Sequence, residues 1–178
     1  ATEEALGERI EFRTGDTRSL DFSDGQFDAV VAHTLISHVE EPLVTLKEAA
    51  RVLKPGGTIT IFDGDYASLT FALSDPEKGK RYDEKLISAV VTRPYIMRQM
   101  SRLIRDARLE TTRFFAYVMA EMGEADFFLP GIESFEKLGP QSGAVTEEEA
   151  VSWVAELKKS SDEGVFFGAG NFLTYIAR

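Results

Sequence analysis

The stretch that decides the fold reads FRTGDTRSLDFSDGQFDAVVAHTLISHV and runs from Phe12 to Val39. One apolar segment ends at Gly15-Asp16, and a second, FDAVVA, ends immediately before His33. A continuous apolar run like the second is typical of a strand covered on both faces of a parallel sheet. The pattern therefore predicts two strands that each stop at a polar residue, with a loop after each.

The residues on either side extend this pattern into a βαβ unit. The first strand is predicted over 10–15, and EEPLVTLKEAARVL reads as a helix with Pro42 at its first position. KPGG then favours a type II turn with Pro55 and Gly56 at its centre, and TITIFD predicts a strand over 58–63. The crossover between the strands is expected to be right-handed, as in other α/β proteins.

The remaining chain predicts further helices and strands. In order, these are a helix from about Asp75, a helix over 93–109, a strand over 110–118, a helix with a Thr146–Glu149 capping box, and a long strand over 165–178. The 93–109 helix presents Arg98, Arg102 and Arg105 on one face. That face is either solvated or a site for an anionic substrate.

Composition narrows the classes of function. The 178 residues carry a net charge of −10 and no cysteine. The charge argues against nucleic acid and against anionic membrane surfaces, whose attraction depends on Lys and Arg. Two histidines without cysteine predict no metal site, and no apolar run approaches the length of a membrane span. We expect a cytoplasmic protein with a small-molecule substrate.

Several short motifs have both an ordinary and a functional interpretation. Gly15-Asp16 after a strand is a common turn, but an Asp at the carboxyl end of a strand in an open α/β sheet also lies where ligands bind. His33 and His38 are either packing residues or members of the same crevice. GAGNFL at 168–173 resembles a dinucleotide fingerprint, but the third glycine and the following helix are missing. Glycine inside a strand more often marks a bulge or close backbone approach.

The whole segment IEFRTGDTRSLDFSDGQFDAVVAHTLISHVEEPLVTLKEAARVLKPGGTITIFD (10–63) resembles the second half of a class I S-adenosylmethionine-dependent methyltransferase. It is most similar to the small-molecule branch that includes the ubiquinone and menaquinone biosynthesis methyltransferases. The resemblance implies an α/β Rossmann-like sheet of order 3-2-1-4-5-7-6, mostly parallel with an antiparallel C-terminal strand. Residues 64–92 and 119–164 would be helical insertions that cover the substrate within a single domain.

The same resemblance implies S-adenosylmethionine as cofactor and a set of contacts to it. Asp16 would accept the adenine amine, and Thr17 would meet the ring edge through its backbone. Ala32 and His33 would lie near the methionine portion, with His38 beside it. The family's first two strands, with their glycine-rich turn, are expected before Ala1. The 178-residue chain by itself is therefore expected to be a fragment that does not bind the cofactor.

The catalytic residues and the acceptor are left open by the sequence. If the acceptor must lose a proton, Asp63, Asp65, Tyr66 and His38 are candidate bases. A set of aromatic residues indicates either an apolar or aromatic acceptor or a lid core: Tyr66, Phe71, Tyr95, Phe127 and Phe128. The alternative function is a non-catalytic binding or partner module. The exposed edge of FDAVVA predicts a homo-oligomer, with strand exchange as one route to it.

Overall fold

The computed structural model describes residues 10–178, in which one mixed sheet is flanked by helices. Its elements are β1 (Phe27–His33), α1 (Pro42–Val52), β2 (Leu53–Phe71), α2 (Pro76–Val90), a 3₁₀ turn (Ile96–Gln99), α3 (Met100–Asp106), β3 (Thr111–Gly123), α4 (Leu129–Ser142), α5 (Glu147–Asp162) and β4 (Phe166–Ala177). The predicted helices are present, with the 93–109 helix formed as the 3₁₀ turn and α3, and so are the last four predicted strands. None of the helices in this part of the chain is long and apolar enough to cross a membrane.

The four strands lie in the order β1-β2-β4-β3. β1 and β2 are parallel, whereas β4 runs antiparallel to both of its neighbours. Three strands thus point the same way, but only one pairing is parallel, so the expectation of a mostly parallel sheet is met in strand direction and not in pairing. The order β1-β2-β4-β3 corresponds to strands 4-5-7-6, the last four of the expected sheet order.

The prediction of a strand over 10–15 is wrong. These residues are exposed and have no regular structure, and the nearest pairing is an isolated bridge between Asp16 and Ser19. A strand needs a hydrogen-bonded neighbour for its backbone groups. No strand in residues 10–178 pairs with this segment, so its alternating pattern cannot become a strand.

The two faces of the sheet differ in what covers them. Helices α1 and α3 pack on one face and bury Ile59, Ile61 and Tyr175 in a first core. The opposite face, here called the open face, contains Phe62 and Phe172 and leaves Val31 67% exposed. Side chains alternate between the faces of a strand, so the register assigns each residue to one or the other.

Helices α2, α4 and α5, here called the cap, surround a second core beyond the end of β2. Trp153 and Phe135 are fully buried at its centre, and Phe71 joins them from the last residue of β2. Two helix starts match the prediction: Asp75, where a helix was expected to begin, accepts from two backbone amides of α2, and Thr146 and Glu149 form the predicted capping box of α5. Through Phe71, the three helices of the cap pack over one end of the sheet.

Candidate active site

A cavity of about 280 Å³ lies between the cap and the extended end of β2. Its walls are mostly aliphatic and aromatic side chains: Leu69, Phe71, Leu86, Val90, Phe127, Phe128, Ile132, Leu138 and Phe172. A few polar residues reach it, namely Thr34, Asp65, Tyr66, Ser134 and Asn171. An apolar cavity with a small number of polar groups is the usual form of a small-molecule site.

A bulge in β2 shapes one wall of this cavity. The pairing of β2 with β4 shifts between Asp65 and Thr70, so the residues between them leave the regular ladder. The glycines of GAGNFL allow this approach: a Cβ at Gly168 would lie 2.9 Å from the Phe71 ring, and one at Gly170 would lie 3.3 Å from Leu69. The motif is therefore a site of close backbone packing, as glycine within a strand often is.

Asp63 serves a structural role at the end of the paired part of β2. It is fully buried, and its two carboxylate oxygens accept hydrogen bonds of 2.9 Å from the backbone amides of Ser37 and Gly64. These bonds tie the loop after β1 to β2. With both oxygens engaged, Asp63 fixes the backbone around the cavity.

Asp65 lies in the cavity wall and is paired with Arg98. The Arg98 Nε lies 2.9 Å and 3.0 Å from the two carboxylate oxygens, and the bond raises the pKa of the guanidinium. The arginine face of the predicted helix is thus not wholly solvated, because Arg98 neutralises an acid of the cavity. Arg98 therefore does not belong to a free face that could bind an anionic substrate.

Tyr66 lies against the backbone of β2 with its ring over Gly64. A Cβ at Gly64 would lie 3.1 Å from ring carbons of Tyr66, so a side chain there would require the ring to shift by a few tenths of an ångström. The His38 ring meets it edge-on at 6.0 Å between centroids. Burial, and next to it the charge of Asp63, raises the pKa of Tyr66, which favours its protonated, hydrogen-bond-donating form.

The turn at 16–19 contains the first two predicted cofactor residues and is docked on the start of α1. Arg18 binds the Asp16 carboxylate at 2.8 Å and Glu41 at 3.3 Å, while the Thr17 and Thr45 hydroxyls lie 3.1 Å apart. The bonds from Arg18 lower the pKa of Asp16 to about 2. Asp16 is therefore an ionised, half-exposed acceptor held near the start of α1.

The other predicted cofactor residues lie at the end of β1 and in the loop that follows. Ala32 is buried toward α1, so only its backbone is available to a ligand. His33 is exposed on the open face with its ring 4.8 Å from that of Phe62. Thr34 has a φ of +46°, an uncommon value that turns the chain sharply at the strand end. His38 stands apart, against Tyr66.

Four of the aromatic residues expected at the acceptor line the cavity, namely Tyr66, Phe71, Phe127 and Phe128, whereas Thr34, Phe172 and Glu121 at its boundary were missed by sequence reasoning. Phe127 and Phe172 line both the cavity and a groove on the open face, as does Thr34. Glu121 holds this wall, since its carboxylate accepts from the backbone amides of Asp126, Phe127 and Phe128. Nothing local in the sequence marks Phe172 or Glu121, because their partners come from other elements. Among residues 10–178, no group of His, Asp and Glu is arranged to hold a metal ion.

Comparison with known families gives a match at the start of the chain. Residues 1–61 match a family described as a methyltransferase domain. Similar curated proteins include a ubiquinone/menaquinone biosynthesis C-methyltransferase from Roseobacter denitrificans, 33% identical over 44% of this chain. A phosphatidylethanolamine N-methyltransferase from Cereibacter sphaeroides is 49% identical over 29% of this chain. The matched segments span 29% and 25% of these relatives.

Solved structures match nearly the whole chain. A protein from Bacillus halodurans C-125, described as a candidate methyltransferase, aligns with a TM-score of 0.62 at 18% identity, over 98% of this chain and 74% of its own. The [4+2]-cyclase SpnF aligns with a TM-score of 0.55 at 20% identity, over 99% of this chain and 59% of its own. The structures establish the fold, and with the family match they confirm the resemblance predicted from the sequence.

Proposed function

We propose that this chain, which carries part of a class I S-adenosylmethionine-dependent methyltransferase domain, takes part in methyl transfer to a small apolar or aromatic acceptor. The observation that carries the proposal is the apolar cavity beneath the cap, because it lies beside the end of β1, within the segment 1–61 that matches a methyltransferase domain. Thr34, the residue after β1, lines the cavity and so connects the cavity to the end of that strand. The substrate-covering role of residues 64–92 and 119–164 belongs to the same proposal.

The described residues fit the cofactor at its adenine and sulfonium ends. S-adenosylmethionine supplies an activated methyl group on a sulfonium. Asp16 is an ionised carboxylate beside the start of α1. Arg18 makes four hydrogen bonds to it, so an adenine amine would take the place of one of them. Thr17, Ala32 and His33 would contribute the remaining contacts through their backbones. Within residues 10–178 we assign no side chain to the ribose hydroxyls.

The chain's own contribution would be alignment and exclusion of water. Apolar walls hold the acceptor, and the ion pair between Asp65 and Arg98 keeps the one acidic wall residue neutralised. Of the four candidate bases, Asp63 is engaged by two amides and Asp65 by Arg98. Tyr66 is better suited to donate a hydrogen bond to the acceptor, which leaves His38, exposed beside it, as the candidate base.

The experiment compares methyl transfer by the protein, including any segment that its gene encodes before Ala1, with that of two cavity variants. The acceptor panel consists of quinols, phenols, indoles and apolar amines, and the readout is S-adenosylhomocysteine formed from S-adenosylmethionine. Gly131 lines the cavity, and a Cβ added there would meet no atom within 4 Å, so Gly131→Leu would extend into open space. Gly131→Ala is the matched control.

The proposal expects turnover of at least one acceptor class, lost in Gly131→Leu and kept in Gly131→Ala. Equal turnover in both variants would remove the cavity from the reaction. Binding of the acceptors without any methyl transfer would favour the alternative, a non-catalytic binding module. The same fold in a protein named as a cyclase means that the fold by itself does not imply methyl transfer.

A further inference from the structure

The outer edge of β3 is long and weakly protected. β3 pairs with β4 along its length and, among the residues that the structure describes, with no strand on its other side. Proteins usually protect an edge with charges, proline or short length. β3 has 13 residues and no proline, and its charged residues are Arg113 and Glu121, one near each end.

Large apolar side chains along β3 are exposed on both faces of the strand. Tyr117 is 53% exposed, Val118 71% and Met122 86%. A contiguous exposed apolar strip of this kind marks an interaction surface. The other edge strand of the described sheet, β1, has only 7 residues. Its Asp28 forms an ion pair with Lys54, near the start of β2.

We propose that β3 joins two copies of this chain edge to edge, antiparallel, with Tyr117 on the two-fold axis. In that register Arg113 of one copy lies opposite Glu121 of the partner subunit. Phe115 lies opposite Met119 of the partner subunit, and Tyr117 lies opposite itself. All five belong to the open face, so each pair meets on the same side of the joined sheet.

The charges of Arg113 and Glu121 favour the register with Tyr117 on the two-fold axis. Arg113 is exposed and forms no ion pair within residues 10–178. Glu121 accepts three backbone amides, and a carboxylate has about four acceptor positions, so one remains. A shift by two residues would place Arg113 opposite Met119 or Gly123 and leave both charges unpaired. A two-fold contact is self-complementary, which a second copy satisfies without any other partner.

The contact would also reach the cavity wall. The Glu121 carboxylate that would meet Arg113 of the partner subunit already holds the backbone amide of Phe127 at 2.7 Å. Phe127 lines the cavity. Pairing at β3 would therefore support the wall between cavity and groove. The inference about pairing stands on the β3 edge alone and does not depend on methyl transfer.

Cysteine cross-linking tests the register, since the chain has no cysteine of its own. Opposed residues of an antiparallel pair have Cα atoms about 4.5–5.5 Å apart, within disulfide reach. Tyr117→Cys would bring two thiols face to face. Phe115→Cys is the matched control, because its two copies would lie four residues apart along the strands, about 13 Å. Mild oxidation should convert Tyr117→Cys to a covalent dimer and leave Phe115→Cys monomeric in denaturing gels.

Sedimentation equilibrium tests the association without oxidation. The unmodified chain should form dimers, and Tyr117→Lys should raise the dissociation constant about tenfold, because two like charges would face each other. Val31→Lys, at an exposed position of β1 outside the proposed contact, should leave it unchanged, and thermal melts check that each variant is folded. A monomer at all concentrations would overturn the proposal. So would equal cross-linking at 115 and 117, or a dimer indifferent to Tyr117→Lys.

Discussion

The acceptor cavity and the turn at 16–19 differ in how they are built. The cavity is enclosed by the cap and by the bulged end of β2, and its wall residues Phe71 and Ile132 are buried. The turn is held on the surface by polar contacts through Arg18 and Thr17. Burial is cooperative and depends on a whole core, whereas exposed ion pairs contribute little to stability. Damage to the cap should therefore abolish the cavity while sparing the turn.

The largest effect should come from Trp153→Ala. Trp153 is fully buried and packs against Phe71, Tyr82 and Phe135. Removing a core Trp costs about 3–5 kcal/mol, so the free energy of unfolding should fall by that amount. Denaturant unfolding measures it, with Trp153→Phe as the milder control. In hydrogen exchange, α2, α4 and α5 should lose protection before α1; uniform loss would mean that cap and sheet form one unit.

A smaller, pH-dependent effect should arise from Asp83 in the cap. Burial raises the pKa of Asp83 to about 6, although Thr70 and the Phe71 amide donate to its carboxylate. The folded state therefore holds the proton more tightly than the unfolded chain. Stability contributed by this group should be present below about pH 4 and lost as pH rises through 6, by about 3 kcal/mol.

Asp83→Asn isolates that contribution. Its free energy of unfolding should vary less between pH 4 and 7 than that of the unsubstituted chain, and it should be the more stable of the two at pH 7. The exposed Asp28→Asn serves as control. Denaturant unfolding at a series of pH values decides it, and parallel curves for Asp83→Asn and the unsubstituted chain would contradict the assignment.

The smallest change to the fold should follow Asp16→Ala. The Asp16 ion pair with Arg18 is half exposed, so the melting temperature should hardly move. Affinity for S-adenosylmethionine should nevertheless fall about tenfold in the protein with any upstream segment, because an adenine amine loses its acceptor. Isothermal titration measures this, with Glu11→Ala as the control, because it removes another exposed ion pair. Unchanged affinity would remove Asp16 from the site.

The sequence was sufficient where a local signal agreed with its surroundings. Pro42 at the start of α1, Asp75 before α2 and the Thr146 capping box each fixed a helix boundary through contacts within one turn. The apolar run FDAVVA became β1 because β2 lies beside it. The same reasoning failed over 10–15, where alternation was present and a pairing strand was not.

The cavity could not be predicted because its parts meet only in the folded chain. Phe172 on β4 and Phe127 before α4 share a wall through long-range packing, with their rings 5.9 Å apart. The ion pair of Arg98 was not predicted, because its partner, Asp65, lies on another element. Among the candidate cofactor residues, the chain brings Asp16 and Thr17 to the start of α1. It places His38 beside Tyr66, on the acceptor side.

The most direct test of the account combines Asp16→Ala with Gly131→Leu in the protein with any upstream segment. We expect Asp16→Ala to weaken S-adenosylmethionine binding about tenfold and leave acceptor binding unchanged. We expect Gly131→Leu to abolish acceptor binding and leave S-adenosylmethionine binding unchanged. Titration of each ligand against both variants gives four dissociation constants. If both variants weaken the same ligand, or if neither changes either one, the division into a donor turn and an acceptor cavity is wrong.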